Sequence, residues 1–133
     1  MNIAVASKVK HAGLWRSMRA SGCPIISTWI DDASIPKASR DINDLWRRSI
    51  NEAAYCDAFI IYRELDDTLE GALIELGAAL ARGTPVFAVG LRDLGVAKYN
   101  RIRHFDDLDS AMQAATSKGA ALPVNDGQIG GAK

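Results

Sequence analysis

The chain has 133 residues, 48% of them hydrophobic and 24% charged, which fits one domain with a real core and excludes both a disordered chain and two ordinary domains. Lysine plus arginine equals aspartate plus glutamate at 16 each, so no global field recruits nucleic acid or an anionic membrane. Any anionic ligand has to be held by a local cluster.

Asn2–Ser7 is a short apolar run, as expected of a strand buried on both faces. Residues 12–21 follow with helical spacing at Ala12, Trp15, Met18 and Arg19, closed by Ser21-Gly22. Pro24–Trp29 is predicted as the second strand, with its proline first, where a missing donor is tolerated. Ile30–Arg40, with Asp31, Asp32 and Pro36, is predicted as a long loop of functional character. A helix beginning at Ser39 or Asp41 carries the stripe Ile42, Leu45, Trp46, Ser49, Ile50 and Ala53.

Asp57 leads into a third strand, Ala58–Tyr62, and a polar turn follows in which Asp67 and Glu70 have capping-box spacing. The next helix, residues 70–83, contains Glu75 as its one carboxylate for ten residues of small and aliphatic side chains. Its leucines, Leu69, Leu73, Leu76 and Leu80, form the stripe predicted to face the sheet. Glu75 shares a second stripe with Gly71, Ala72, Ala78 and Ala79, which a ligand or a partner subunit would cover. The alternative at this stage is a plain solvent-facing glutamate.

Pro85–Val89 is a fourth strand, Arg101–Phe105 a short fifth, and Leu108–Ala115 a last helix capped by Asp106 or Asp107. Residues 1–117 are read as a single domain, and 118–133, with almost nothing to bury, as a disordered tail. Strict alternation of strands and helices predicts a doubly wound, five-stranded parallel α/β sheet of flavodoxin- or Rossmann-like type, order 2-1-3-4-5. Right-handed crossovers then place Ser7, Trp29, Tyr62 and Val89 at one functional rim.

At that rim, Ser7, Lys8, Lys10 and His11 precede a helix and could hold an anion, or form a solvated basic turn. Glycines that would let backbone wrap a phosphate are absent before Gly13, so this is neither a P-loop nor a dinucleotide fingerprint. Trp29 can stack on a base, and Asp31 and Asp32 can bind hydroxyls or a base edge; the structural alternatives are a core tryptophan and turn-capping aspartates. His104 is read as structural and Asp57 as a connector cap. Cys23 and Cys56 lack disulfide-scaffold or zinc spacing and are expected as reduced thiols. No membrane span or signal-peptide core is seen, so the expectation is a soluble, cytoplasmic protein without metal or cofactor.

Cys56–Tyr62, the acidic loop after it, Gly71-Ala72-Leu73-Ile74-Glu75-Leu76-Gly77 and Gly83-Thr84-Pro85-Val86 together resemble the nucleoside 2-deoxyribosyltransferase superfamily, which includes deoxynucleoside 5′-monophosphate N-glycosidases. The resemblance spans residues 2–90 in element order and is most specific at the glycine–glutamate–leucine–glycine run. It implies that Glu75 attacks the anomeric carbon of a nucleoside or nucleotide, displacing the base, and that water or a second base resolves the glycosyl-enzyme. It also implies a homodimer or higher homo-oligomer, in keeping with an alanine-rich helix face and a Trp46 that need covering.

The sequence departs from the family pattern at three places. Leu69 stands where the transferases have an aspartate, Ser49 stands where the hydrolases have one, and the glycine-rich phosphate loop is missing. Asp31, Asp32 and Asp44 are the remaining candidates to protonate the leaving base, with Asp31 first. The expected site is therefore Glu75 and Asp31 as catalytic residues, with Ser7, Lys8, His11, Trp29, Asp32, Gly71 and Ala72 binding substrate. The other functions these features admit are a non-catalytic nucleotide-binding module and an NAD-type glycohydrolase.

Overall fold

The computed structural model describes residues 1–117; the expected tail, 118–133, lies outside the described residues. Four parallel strands form one sheet in the order β1-β2-β3-β4: β1 (Ile3–Ala6), β2 (Ala58–Tyr62), β3 (Val86–Val89) and β4 (Ile102–Phe105). Register runs Ala4↔Phe59, Phe59↔Val86 and Val86↔Ile102, so the strand ends after Ala6, Tyr62 and Val89 come to one rim. Five helices complete the layers: α1 (Ala12–Ala20), α2 (Trp29–Asp32), α3 (Ile42–Tyr55), α4 (Gly71–Ala81) and α5 (Leu108–Thr116).

Strands β1, β2 and β3 are apolar on both faces because both are covered, whereas the edge strand β4 carries Arg103 and His104 and is only partly buried. Ile3, Val5, Ile60, Phe87 and Val89 pack on one side with Trp15 of α1, Trp29 and Ile30 of α2 and Ala111, Met112 and Ala115 of α5. Ala4, Ala6, Phe59, Ile61, Val86 and Ala88 pack on the other with Ala53 of α3 and Ala72, Leu76 and Ala79 of α4. Asp41 caps α3, its Oδ1 accepting from the Asp44 N–H at 3.0 Å, and Asp107 caps α5 by accepting from Ser110 N–H at 2.8 Å.

The second expected strand is not formed. Its segment makes one parallel bridge, Ile25 to Ile3, and then leaves the sheet. The reason is Ser27, whose buried hydroxyl accepts from Val5 N–H at 2.8 Å and lies 3.3 Å from the Val5 carbonyl. Trp29 Nε1–H donates to that same carbonyl at 2.8 Å. Two side chains thus satisfy the open edge of β1 where backbone would have continued the ladder. The chain is released into α2, so the expected loop 30–40 opens with a helix and later makes a single turn at Lys37–Ser39.

Two further expectations are corrected. Of the expected α4 stripe, Leu76 is in the core and Leu69 and Leu80 pack against it, but Leu73 is exposed; Ala72 and Ala79 complete the sheet-facing surface, with Glu75 beside them. The Asp67–Glu70 capping box is not made: Glu70 is the N-cap residue without a side-chain bond, because Asp67 is engaged elsewhere. Of the α3 stripe, Ser49 and Ala53 are buried, and Ile42, Trp46 and Ile50 remain exposed. No helix among the described residues is long and apolar enough to cross a membrane. Cys23 and Cys56 are free, and burial raises the Cys56 thiol to about 11.

Ser27→Ala should leave the buried Val5 N–H without an acceptor and lower stability by about 1–3 kcal/mol, read from urea unfolding. Gly90, at φ +83°, follows β3, and a Cβ there would sit 2.0 Å from the Arg63 carbonyl oxygen. Gly90→Ala is expected to cost about 3 kcal/mol or more, combining a left-handed backbone with that clash, seen as a lowered Tm.

Candidate functional site

A cavity of about 810 Å³ opens at the strand-end rim, bounded by the loop after β1, by α2 and α3, and by the start of α4. Its size suits a small-molecule or nucleotide ligand, and the carboxyl ends of parallel strands are where open α/β sheets bind ligands. Ser7, Lys8 and Lys10 come from the first loop, Trp29 from α2 and Lys37 from the turn after it. Trp46 and Ser49 come from α3, and Gly71, Ala72 and Glu75 from α4.

Glu75 is 8% exposed and makes no hydrogen bond among the described residues. The small residues of α4 bring its backbone close to the sheet and to α3, which buries the carboxyl with them. Burial, followed by the negative charge of Glu52 on α3, raises its pKa to about 8. No hydroxyl or amide among the described residues donates to it to offset that rise. Glu52 itself accepts from Thr28 N–H at 3.1 Å and Thr28 Oγ1–H at 2.9 Å.

Trp46 and Gly71 shape the same wall. A Cβ on Gly71 would lie 3.0 Å from the Trp46 ring, so the absence of a side chain there is what admits the indole. Trp29 is a core tryptophan at the cavity wall, being 8% exposed, bonded to the Val5 carbonyl and part of the cavity lining. Ser7 lines the cavity while its hydroxyl accepts from Trp15 Nε1–H at 2.8 Å and donates to the Lys8 carbonyl at 2.9 Å.

Three expected site residues are not among the cavity-lining residues. Asp31 forms a two-point pair with Arg19 at 2.7 and 3.1 Å on the outer side of α2, which holds its carboxyl below the usual range. A carboxylate so held is a poor proton donor. Asp32 accepts from Arg48 Nη2–H at 2.6 Å, and Arg48 also donates to Asp44 at 2.7 Å and Thr28 Oγ1 at 2.5 Å. Asp44 is further bound by Arg47 and likewise held low, first by Arg48 and then by Arg47. His11 is buried, its Nε2 within 2.9 Å of Asp67 Oδ2 and its ring edge-on to Tyr62. Thus Glu75, Ser7, Lys8, Trp29, Gly71 and Ala72 are brought together, and Asp31, Asp32 and His11 are tied up in the frame.

Asp67 escaped the sequence reading, where it served only as a helix cap. It is buried, binds Lys10 Nζ at 2.8 Å and His11, and accepts from Glu64 N–H at 3.1 Å. Lys10 first, then His11, holds its carboxyl far below the ordinary aspartate range. Beside it, Tyr62 O–H donates to Glu64 at 2.6 Å, and burial with that bond pushes the phenol up to about 12. His11, Glu64 and Asp67 have ligand atoms within 4.8 Å of one another, the one such trio among the described residues. Lys10 already neutralises Asp67 there, which disfavours a second cation. Ser49 and Lys37 also line the cavity without having been expected as binding residues; only their approach in space identifies them.

The pH dependence of folding tests the state of Glu75. Its folded form keeps a proton up to about pH 8, whereas the unfolded chain releases it near the ordinary value of 4.5. Between those values the unfolded state binds fewer protons, so Glu75 lowers stability as pH rises. Glu75→Gln should therefore gain stability over wild type between about pH 5 and about pH 9, by on the order of a few kcal/mol, measured by urea titration at each pH. Comparison with protein-family models, with curated proteins and with solved structures gives no match.

Proposed function

We propose that this chain cleaves or exchanges the N-glycosidic bond of a nucleoside 5′-monophosphate, with Glu75 as the nucleophile. The observation that carries this is one buried carboxylate, free of hydrogen bonds among the described residues, in a nucleotide-sized cavity at the sheet rim. A carboxylate held by donors or cations would be a weak nucleophile, and Glu75 has neither among the described residues. Trp29 and Trp46 offer aromatic surface to a base. Lys8 and Lys37 line the cavity without acidic partners among the described residues, and Lys10 lines it while bound to Asp67; together with the first amides of α4 they favour a phosphate.

In the reaction, a Glu75 oxygen attacks C1′ as the bond to the base breaks through an oxocarbenium-like transition state. Water or an incoming base then displaces the carboxylate from C1′. Because Glu75 acts only as the anion, kcat/KM should rise with pH through about 8, the range in which the free protein loses that proton.

The test is base release from a panel of ribo- and deoxyribonucleosides and their 5′-monophosphates. Glu75→Ala and Glu75→Gln should each reduce release by about 1,000-fold or more, with circular dichroism unchanged. If wild type binds a nucleotide by calorimetry and releases no base, the protein is a binding module. If Glu75→Gln matches wild type, the nucleophile lies elsewhere.

A further inference from the structure

The cavity supplies a nucleophile but little to protonate a departing base. Glu70 and Glu75 are the only carboxyl groups among its lining residues, and Glu70 is exposed at the start of α4. The lining lysines, Lys8, Lys10 and Lys37, are assigned to the phosphate above and are far weaker acids than a carboxyl. Asp31, Asp32 and Asp44 are each paired with arginine. The buried polar group of α3 facing the cavity is the Ser49 hydroxyl, which is not an acid. An ordinary nucleobase needs a proton as its bond to C1′ breaks, because the electron pair otherwise leaves it as an anion.

A base that already carries a positive charge at or conjugated with its glycosidic nitrogen has no such need. The pair from the breaking C1′–N bond neutralises that charge, and a pyridinium or an N7-alkylated purine departs as a neutral heterocycle. Glu75 gains the new bond to C1′; water then attacks C1′, the carboxylate leaves with its electron pair, and the proton of the attacking water passes to solvent. Every atom and charge is accounted for without a protein acid.

The charges around Glu75 fit the same ligand. Its environment is apolar burial plus the carboxylate of Glu52, with no cation offsetting either. A positively charged ring would supply that missing charge and favour the ionised, nucleophilic form. The indoles of Trp29 and Trp46 are suitable surfaces for a flat cation. We propose, building on the N-glycosidase reading above, that the cavity selects nucleoside 5′-monophosphates whose base is cationic through N-alkylation.

The experiment compares guanosine 5′-monophosphate with its 7-methyl derivative, and uridine 5′-monophosphate with nicotinamide mononucleotide, each corrected for its uncatalysed rate. Base release should be about 100-fold or more faster for the two cationic ligands, the gap a general acid would otherwise fill. Calorimetry above about pH 8, where Glu75 is ionised, with Glu75→Gln, a variant that keeps shape and loses that charge, should show weakened binding of nicotinamide mononucleotide and unchanged binding of uridine 5′-monophosphate. If corrected rates for neutral and cationic bases agree within about tenfold, cation selection is overturned while the N-glycosidase function stands. If none of the four releases base while the deoxyribonucleotides of the panel above do, cation selection is overturned and the N-glycosidase function stands; if no member of either set releases base, both fall. If Glu75→Gln binds nicotinamide mononucleotide as tightly as wild type does, cation selection is overturned whatever the rates.

Discussion

The close seating of α4 on the sheet is the constraint on which the site depends. Ala72, Leu76 and Ala79 of the helix are buried against the strands, with Leu69 and Leu80 packed beside them. Glu75 lies next to that stripe, so the packing that stabilises the layer also removes a carboxylate from water. Burying an unpaired charge is costly, and the group responds by holding its proton, which is why its pKa rises to about 8. A leucine-faced helix would have stood further off and left the same glutamate wetter. The small residues are thus electrostatic devices as well as packing units.

The frame around this group consists of paired charges, and those pairs account for which candidates are excluded from chemistry. Asp67 ties the loop after β2 to Lys10 and His11 in the loop after β1. Arg48 ties Asp32 and Thr28 to Asp44 on α3, and Thr28 in turn binds Glu52. Both clusters join segments far apart in sequence at the rim, where no β-ladder holds the chain. Their value is positional: surface ion pairs add little stability, but several bonds converging on one side chain fix a loop. Asp67 and Asp44, whose partners hold their carboxyls low, stay ionised and are poor proton donors.

The layers were legible in the sequence because uninterrupted apolar runs separated by helical periods leave few ways to cover both faces of a sheet. Ile3–Ala6, Ala58–Tyr62 and Val86–Val89 are such runs, and each forms a strand. Pro24–Trp29 has the same local pattern but loses its ladder to Ser27, a contact across 22 residues that no local window contains. The α4 stripe departs from expectation at one leucine: Leu73 is exposed, while Ala72 and Ala79 join Leu76 in the core and Leu69 and Leu80 pack against it. Glu75 stood out as a lone acid, and it is buried rather than solvent-facing. Asp31 and Asp32 were legible only as acids near a rim; their arginine partners, Arg19 on α1 and Arg48 on α3, are placed by tertiary packing.

A chain with no net charge can still be strongly selective if its charges are sorted in space. Here the lysines are presented by loops, with Lys10 60% exposed at its side chain, whereas Glu75 is held by a helix inside the wall. The two signs do not cancel within the cavity, since only burial and Glu52 act on Glu75. A ligand that satisfies both carries negative charge at one end and positive charge at the other. A neutral base would leave the buried carboxyl without a counter-charge, and a free phosphate would leave it untouched. In the proposed reaction, the want of a free carboxylic acid beside Glu75 among the described residues would be the property that discriminates against ordinary bases.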